Sequence, residues 1–223
     1  MFKNVTIIML SLMMLFGMFG YNYVEAFDET ITYPYDYPVK GGTEEWKAFT
    51  SLDEMLEACQ IPESILKKMS TAGLVETVLN YPLLGNIYAY NSLQQGFEAV
   101  TAQFNGLEEL LKRKDAGVEL LARYRAMNPL AIEEDWDDIQ KGAYAVSLSY
   151  IEILLSQDNV LADLTGPQIE ELLREAIKTY RAKQQLVDVY YTGLECTVWL
   201  MGKTLQQRLL NNKYGRIQLS KAF

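Results

Sequence analysis

Trp136-Asp-Asp-Ile139-Gln-Lys-Gly-Ala143-Tyr-Ala-Val146-Ser-Leu-Ser-Tyr150-Ile-Glu-Ile153 sets apolar residues at alternating steps of three and four. That spacing returns side chains to one face of a helix, so the stretch predicts a single long amphipathic helix. The rhythm continues downstream. Thr165-Gly166-Pro167 opens a helix carrying Ile169, Leu172, Leu173, Ala176, Ile177 and Tyr180, with proline where the first turn needs no N–H. A last helix is expected from about Thr192 to Leu210. Its centre, Leu194 to Met201, is apolar on nearly every side, the pattern of a helix surrounded by others. We therefore expect it to be the central helix.

Upstream, the elements shorten and the punctuation tightens. Ser51 with Glu54 reads as a capping box before Leu52, Met55, Leu56 and Cys59. Ile61-Pro62 restarts a helix with Ile65, Leu66 and Met69, and Ser70 or Thr71 opens another that closes at Asn80-Tyr81-Pro82. Leu93, Phe97, Val100, Phe104, Leu107 and Leu111 recur at helical steps, interrupted at Asn105-Gly106, where Asn105 and Glu108 read as a second capping box. Asp115 is placed to cap a further helix ending at Asn128-Pro129. No segment alternates like a strand between hairpin turns, and no fixed repeat period is legible. The expected class is all-α, an irregular helical bundle or armadillo-like stack of short helices with longer C-terminal ones.

Three regions are expected along the 223 residues. Residues 1–26 read as a signal peptide: Lys3, the uncharged apolar run Val5–Phe19, then Val24-Glu-Ala26 offering small residues for cleavage after Ala26. An uncleaved anchor is the alternative, because Val5–Val24 approaches the roughly 20 residues of a bilayer span. Residues 27–45 read as a linker rich in Tyr and Pro. Its Tyr33-Pro-Tyr35-Asp-Tyr37-Pro38 is an extended segment that could stack on sugars or, more simply, lie as an arm on the helical body. Residues 46–223 read as one helical domain. The expected location is secreted or at the cell surface, with no stable membrane span after cleavage.

Composition narrows the function classes. A net charge of −9 disfavours nucleic acid and anionic membranes as partners. Histidine is absent, which removes His-dependent triads, Cys-His dyads and His-ligated zinc. The two cysteines, Cys59 and Cys196, sit on apolar stretches; an oxidising compartment permits a bridge between them, and packing alone also accounts for both. No phosphate-binding glycine loop or nucleophile elbow occurs, and no cofactor is implied.

The densest constellation is Glu133-Glu134-Asp135-Trp136-Asp137-Asp138. Paired carboxylates beside an aromatic ring suit glycan chemistry, and hard oxygens suit calcium. The same charges at the start of a helix also complement its dipole. Glu108 and Glu109 face Lys112 and Arg113 at i, i+4 spacing, which needs only helix stability as its reason.

The segments Trp46-Lys-Ala-Phe49, Glu54–Pro62, Leu79-Asn-Tyr-Pro82, Ala89-Tyr-Asn91, Gly96-Phe97, and Phe104-Asn-Gly106 through Arg113-Lys-Asp115 together resemble a family of uncharacterised exported bacterial proteins. The likeness covers residues 46–125 well and the remainder loosely. It implies bacterial origin and export, and it brings no catalytic residue. Two functions follow: a binding or scaffold module with a protein or glycan ligand outside the cytoplasm, and a carboxylate-dependent hydrolase of glycan or peptide.

Overall fold

The computed structural model describes residues 30–133 and 135–221, with side chains as far as residue 212. The expected signal peptide lies outside the described residues. Among the described residues all regular structure is helical: α1 Glu44–Lys47, α2 Leu52–Ala58, α3 Glu63–Leu66, α4 Thr71–Leu79, a 3-10 turn Leu84–Ala89, α5 Leu93–Thr101, α6 Asn105–Leu110, α7 Ala116–Ala126, α8 Asp138–Leu155, α9 Asp158–Ala162, α10 Gly166–Lys183, a 3-10 turn Gln184–Leu186, α11 Val187–Tyr190 and α12 Gly193–Lys221. The fold is all-α, as the periodicity predicts. Among the described residues no helix is long and apolar enough to cross a membrane.

Local chemistry sets most helix starts. Ser51, Ser70 and Ser92 each accept a backbone N–H in the first turn of α2, α4 and α5, and at the start of α10 Gln168 Oε1 accepts the Thr165 N–H at 2.8 Å. Asn105 behaves differently from expectation. Its amide leaves its own helix uncapped and clamps Ile61 instead, accepting from the Ile61 N–H at 3.0 Å and donating to the Ile61 carbonyl at 2.7 Å. Arg113 keeps its predicted pair with Glu109 at 3.0 Å and also donates to the carbonyls of Leu66, the last residue of α3, and of Met69 just beyond it. Gly96 is a true small-residue requirement, since a Cβ there would collide with the Ile87 carbonyl.

The Tyr/Pro segment read as a linker lies along α3 and α4. Ile31 forms a single parallel bridge to Met69. The Tyr35 N–H donates to Thr77 Oγ1 at 2.9 Å, and the Tyr37 hydroxyl donates to the Thr77 carbonyl at 3.0 Å. Tyr37 enters the core beside Phe104 and Tyr81, whose rings stack 3.8 Å apart. Tyr33 points outward at 68% exposure.

The centre of the molecule is the C-terminal half of α8, where every residue from 151 to 157 is buried. This corrects the expectation for the last helix. α12 packs chiefly on α10 and α8 through one face, Cys196, Thr197, Leu200 and Thr204, while Val198, Leu205 and Leu209 stay exposed at 51%, 43% and 69%. The phase read for α8 also moves. Ile139 is 82% exposed and Val146 and Tyr150 are half-buried, whereas Ala145, Leu148, Ser149 and Glu152 face inward.

Candidate functional site

The acidic segment is solvated. Glu133, Asp135, Asp137 and Asp138 are exposed, and Glu134 lies outside the described residues. Asp137 caps α8, accepting the Gln140 N–H at 2.8 Å while Gln140 accepts the Asp137 N–H at 2.9 Å. Trp136 is half-buried with its ring edge-on to Tyr144, centroids 5.7 Å apart. Among the described residues no group of three or more Cys, Asp or Glu side chains is placed to hold a metal ion.

Cys59 and Cys196 are free, buried thiols in separate neighbourhoods, so the permitted bridge is not formed. Cys59 packs in the core near Tyr37 and Tyr81. Cys196 lies 3.9 Å from the Tyr88 hydroxyl. Burial pushes the Cys59 thiol up, and pushes Cys196 up to about 11. A thiol that is both shielded and protonated is a poor nucleophile. We expect a thiol-specific disulfide reagent at pH 8 to leave the native chain unmodified and to titrate two thiols after denaturation; rapid native modification would show that either site opens.

The strongest buried electrostatics were not legible in the sequence. Glu152 on α8 and Lys183 at the end of α10 are both fully buried and paired at 2.7 Å. The Lys183 ammonium also donates to the Gly193 carbonyl at 3.0 Å and Thr197 Oγ1 at 2.9 Å, so each of its N–H groups has an acceptor. Thr197 and Tyr124 donate to the other Glu152 oxygen at 2.8 and 2.9 Å. Burial raises the Glu152 carboxyl, while Lys183, Thr197 and Tyr124 pull it back down. A Cβ at Gly193 would come within 2.9 Å of Ser149 Oγ, so the lack of a side chain lets α12 approach. The network is satisfied and sealed, a tie between α7, α8, α10 and α12 with no room for a substrate.

A different constellation faces solvent. Gln94 and Glu98 share a face of α5 by their i, i+4 spacing, and Trp199 and Lys203 share a face of α12 in the same way. Between them Gln157, Asp158 and Asn159 lead the chain into α9. These seven residues enclose an open depression of about 630 Å³. Gln157 is itself buried, its amide anchored on the Ile153 carbonyl at 2.8 Å. Lys203 pairs with Asp158 at 2.6 Å, Gln94 donates to Glu98 at 2.8 Å, and Asn159 donates to the Leu111 carbonyl at 3.0 Å. The walls are thus held by hydrogen bonds before any ligand arrives. Sequence reading missed this site because its parts lie far apart in the chain; the only local signals are the two i, i+4 pairs.

No protein-family model matches the chain, and neither a curated protein nor a solved structure matches it.

Proposed function

We propose that the chain is an exported bacterial binding module of the cell envelope or exterior, and that the depression between α5, α9 and α12 is its ligand seat. The observation that carries this reading is a set of pre-positioned polar groups around a tryptophan in the open depression. An aromatic body with a polar edge and a few fixed hydrogen-bonding groups is how small sites obtain both contact and orientation. Hydrolysis by carboxylates needs more, namely an acid kept protonated by desolvation. Here Glu98 is exposed, and the Asp158 side chain is 78% exposed and neutralised by Lys203. The signal-peptide pattern supports export, and N-terminal sequencing of the secreted chain should begin at Phe27; recovery of intact Met1 in membranes would contradict it.

The binding reading is tested by placing a photo-crosslinking residue at Glu98, and separately at the exposed Glu57 on α2, in the native producing culture. Adducts are expected from position 98 and not from position 57. Equal labelling at both, or none at 98, would remove the depression as the ligand seat.

A further inference from the structure

The inventory of uncommitted hydrogen-bonding groups in the depression constrains what it takes. This inference rests on the depression being the ligand seat. Among the described residues, Gln94 Oε1, Asn159 Oδ1, the second oxygen of Glu98 and the second oxygen of Asp158 accept no hydrogen bond. On the donor side, Lys203 makes one bond only, to Asp158, the amide nitrogens of Asn159 and Gln157 each donate once, and the Trp199 indole N–H makes none. Free acceptors and free donors are both present, so a ligand that fits must bring several groups that donate and accept. Hydroxyl groups do this.

Charge removes the anionic classes. Two carboxylates and one ammonium line the depression, and the whole chain carries −9, so phosphate, sulfate and uronate groups are repelled. Trp199 lines the depression and is half-buried against the core; an indole ring is an apolar surface of the kind that packs on the C–H face of a pyranose. An open depression of about 630 Å³ admits a chain that continues beyond the walls.

We propose that the depression binds a neutral saccharide, a hexose or N-acetylhexosamine oligomer. Trp199 stacks on one ring, Glu98 and Asp158 accept from its hydroxyls, and Lys203 and the indole N–H donate back.

Calorimetry of the exported chain tests this with four probes: a neutral hexose oligomer, an N-acetylhexosamine oligomer, a uronate oligomer and oligolysine. One or both neutral saccharides should bind, and the uronate and oligolysine should not. Glu98→Ala, at an exposed position, should weaken that binding about tenfold, the value of a hydrogen bond to a charged group. Trp199→Ala should weaken it at least as much, and Trp199→Phe, which keeps a ring and the packing, should retain part of it. Trp136→Ala should leave it unchanged. Oligolysine or uronate binding that Glu98→Ala alters would overturn the saccharide assignment. So would the failure of every probe, or saccharide binding that is indifferent to Glu98 and Trp199. Adducts from position 98 in such a case would show that the binding module stands and only the ligand class has failed; their absence would show that both have.

Discussion

Replacing Lys183 by methionine should destabilise the domain by about 3–5 kcal/mol, the usual consequence of leaving one member of a buried ion pair without its partner. For a domain of this size that corresponds to a melting temperature lower by roughly 6–20 °C. The loss comes from what remains: a carboxyl with no exposed surface, still held by Thr197 and Tyr124 but with no cation to offset its burial. The pH dependence follows. Burial raises the Glu152 carboxyl in the folded chain, and removing Lys183 removes the largest opposing influence. A carboxyl whose folded pKa lies above its unfolded value contributes stability fully below the unfolded value, and loses it as pH rises through the folded one. The variant should therefore be nearest to wild type in mild acid and fall away toward neutrality. Glu152→Leu combined with Lys183→Met removes both charges and should recover most of the loss, because two apolar side chains of similar size need no partners. Urea melts of the three chains between pH 4 and 8 measure it. A single variant that melts like wild type at pH 7 would show that water reaches the pair.

The same pair explains where the sequence was legible and where it misled. Several helix starts follow from local signals: Ser51, Ser70 and Thr165 stand where the capping rules put them, whereas Asp115 makes no capping bond and accepts from the Thr71 hydroxyl instead. The orientation of α8 does not follow, because the apolar row that sets the predicted face leaves out Ser149 and Glu152. Both are buried, Ser149 by bonding back to the Ala145 carbonyl at 3.0 Å and Glu152 by its ion pair. With those polar positions turned inward, the apolar row Ile139, Val146 and Tyr150 turns outward or to the flank. α12 shows the complementary case. Its two apolar faces look equivalent in sequence, and the buried one is chosen by Thr197, which reaches the ion pair, and by Thr204, which satisfies itself on the Leu200 carbonyl at 2.7 Å. A polar residue is a reliable surface marker only while no partner waits inside; for Glu152 and Thr197 that partner is tens of residues away in the chain, and for Ser149 and Thr204 it is a carbonyl one turn back. The depression around Trp199 was hidden for the same reason. Its three elements meet only after folding, while the acidic run 133–138 drew notice because it is contiguous. The arm was half legible: prolines predict its extension, but only the structure shows Thr77 on α4 receiving it.

Ending the chain after Thr192 should unfold the domain rather than shorten it. The removed segment contributes Cys196 and Leu200 to the core and also completes the buried network. Without it Lys183 loses the Gly193 carbonyl and Thr197 Oγ1, and Glu152 loses the hydroxyl at 2.8 Å. Each buried polar group left unpaired costs about 1–3 kcal/mol, more where it is charged. Losing the apolar cover over α8 and α10 adds several more, about 25 cal/mol for each Å² of apolar surface exposed. The total is comparable to the 5–15 kcal/mol by which domains of this kind are stable. Ending the chain after Asn212 is the matched control. It keeps every buried residue of α12 that the structure describes and should melt close to the full-length chain. Val198→Ser and Leu209→Ser, on the exposed row, should each change stability by less than about 0.5 kcal/mol, as surface substitutions do. Circular dichroism with thermal melting separates the cases: a broad, non-cooperative loss of helix for the chain ending at Thr192, and a sharp transition for the other three. A cooperative transition near the full-length temperature in the shorter chain would mean that α7, α8 and α10 close over Glu152 and Lys183 without α12.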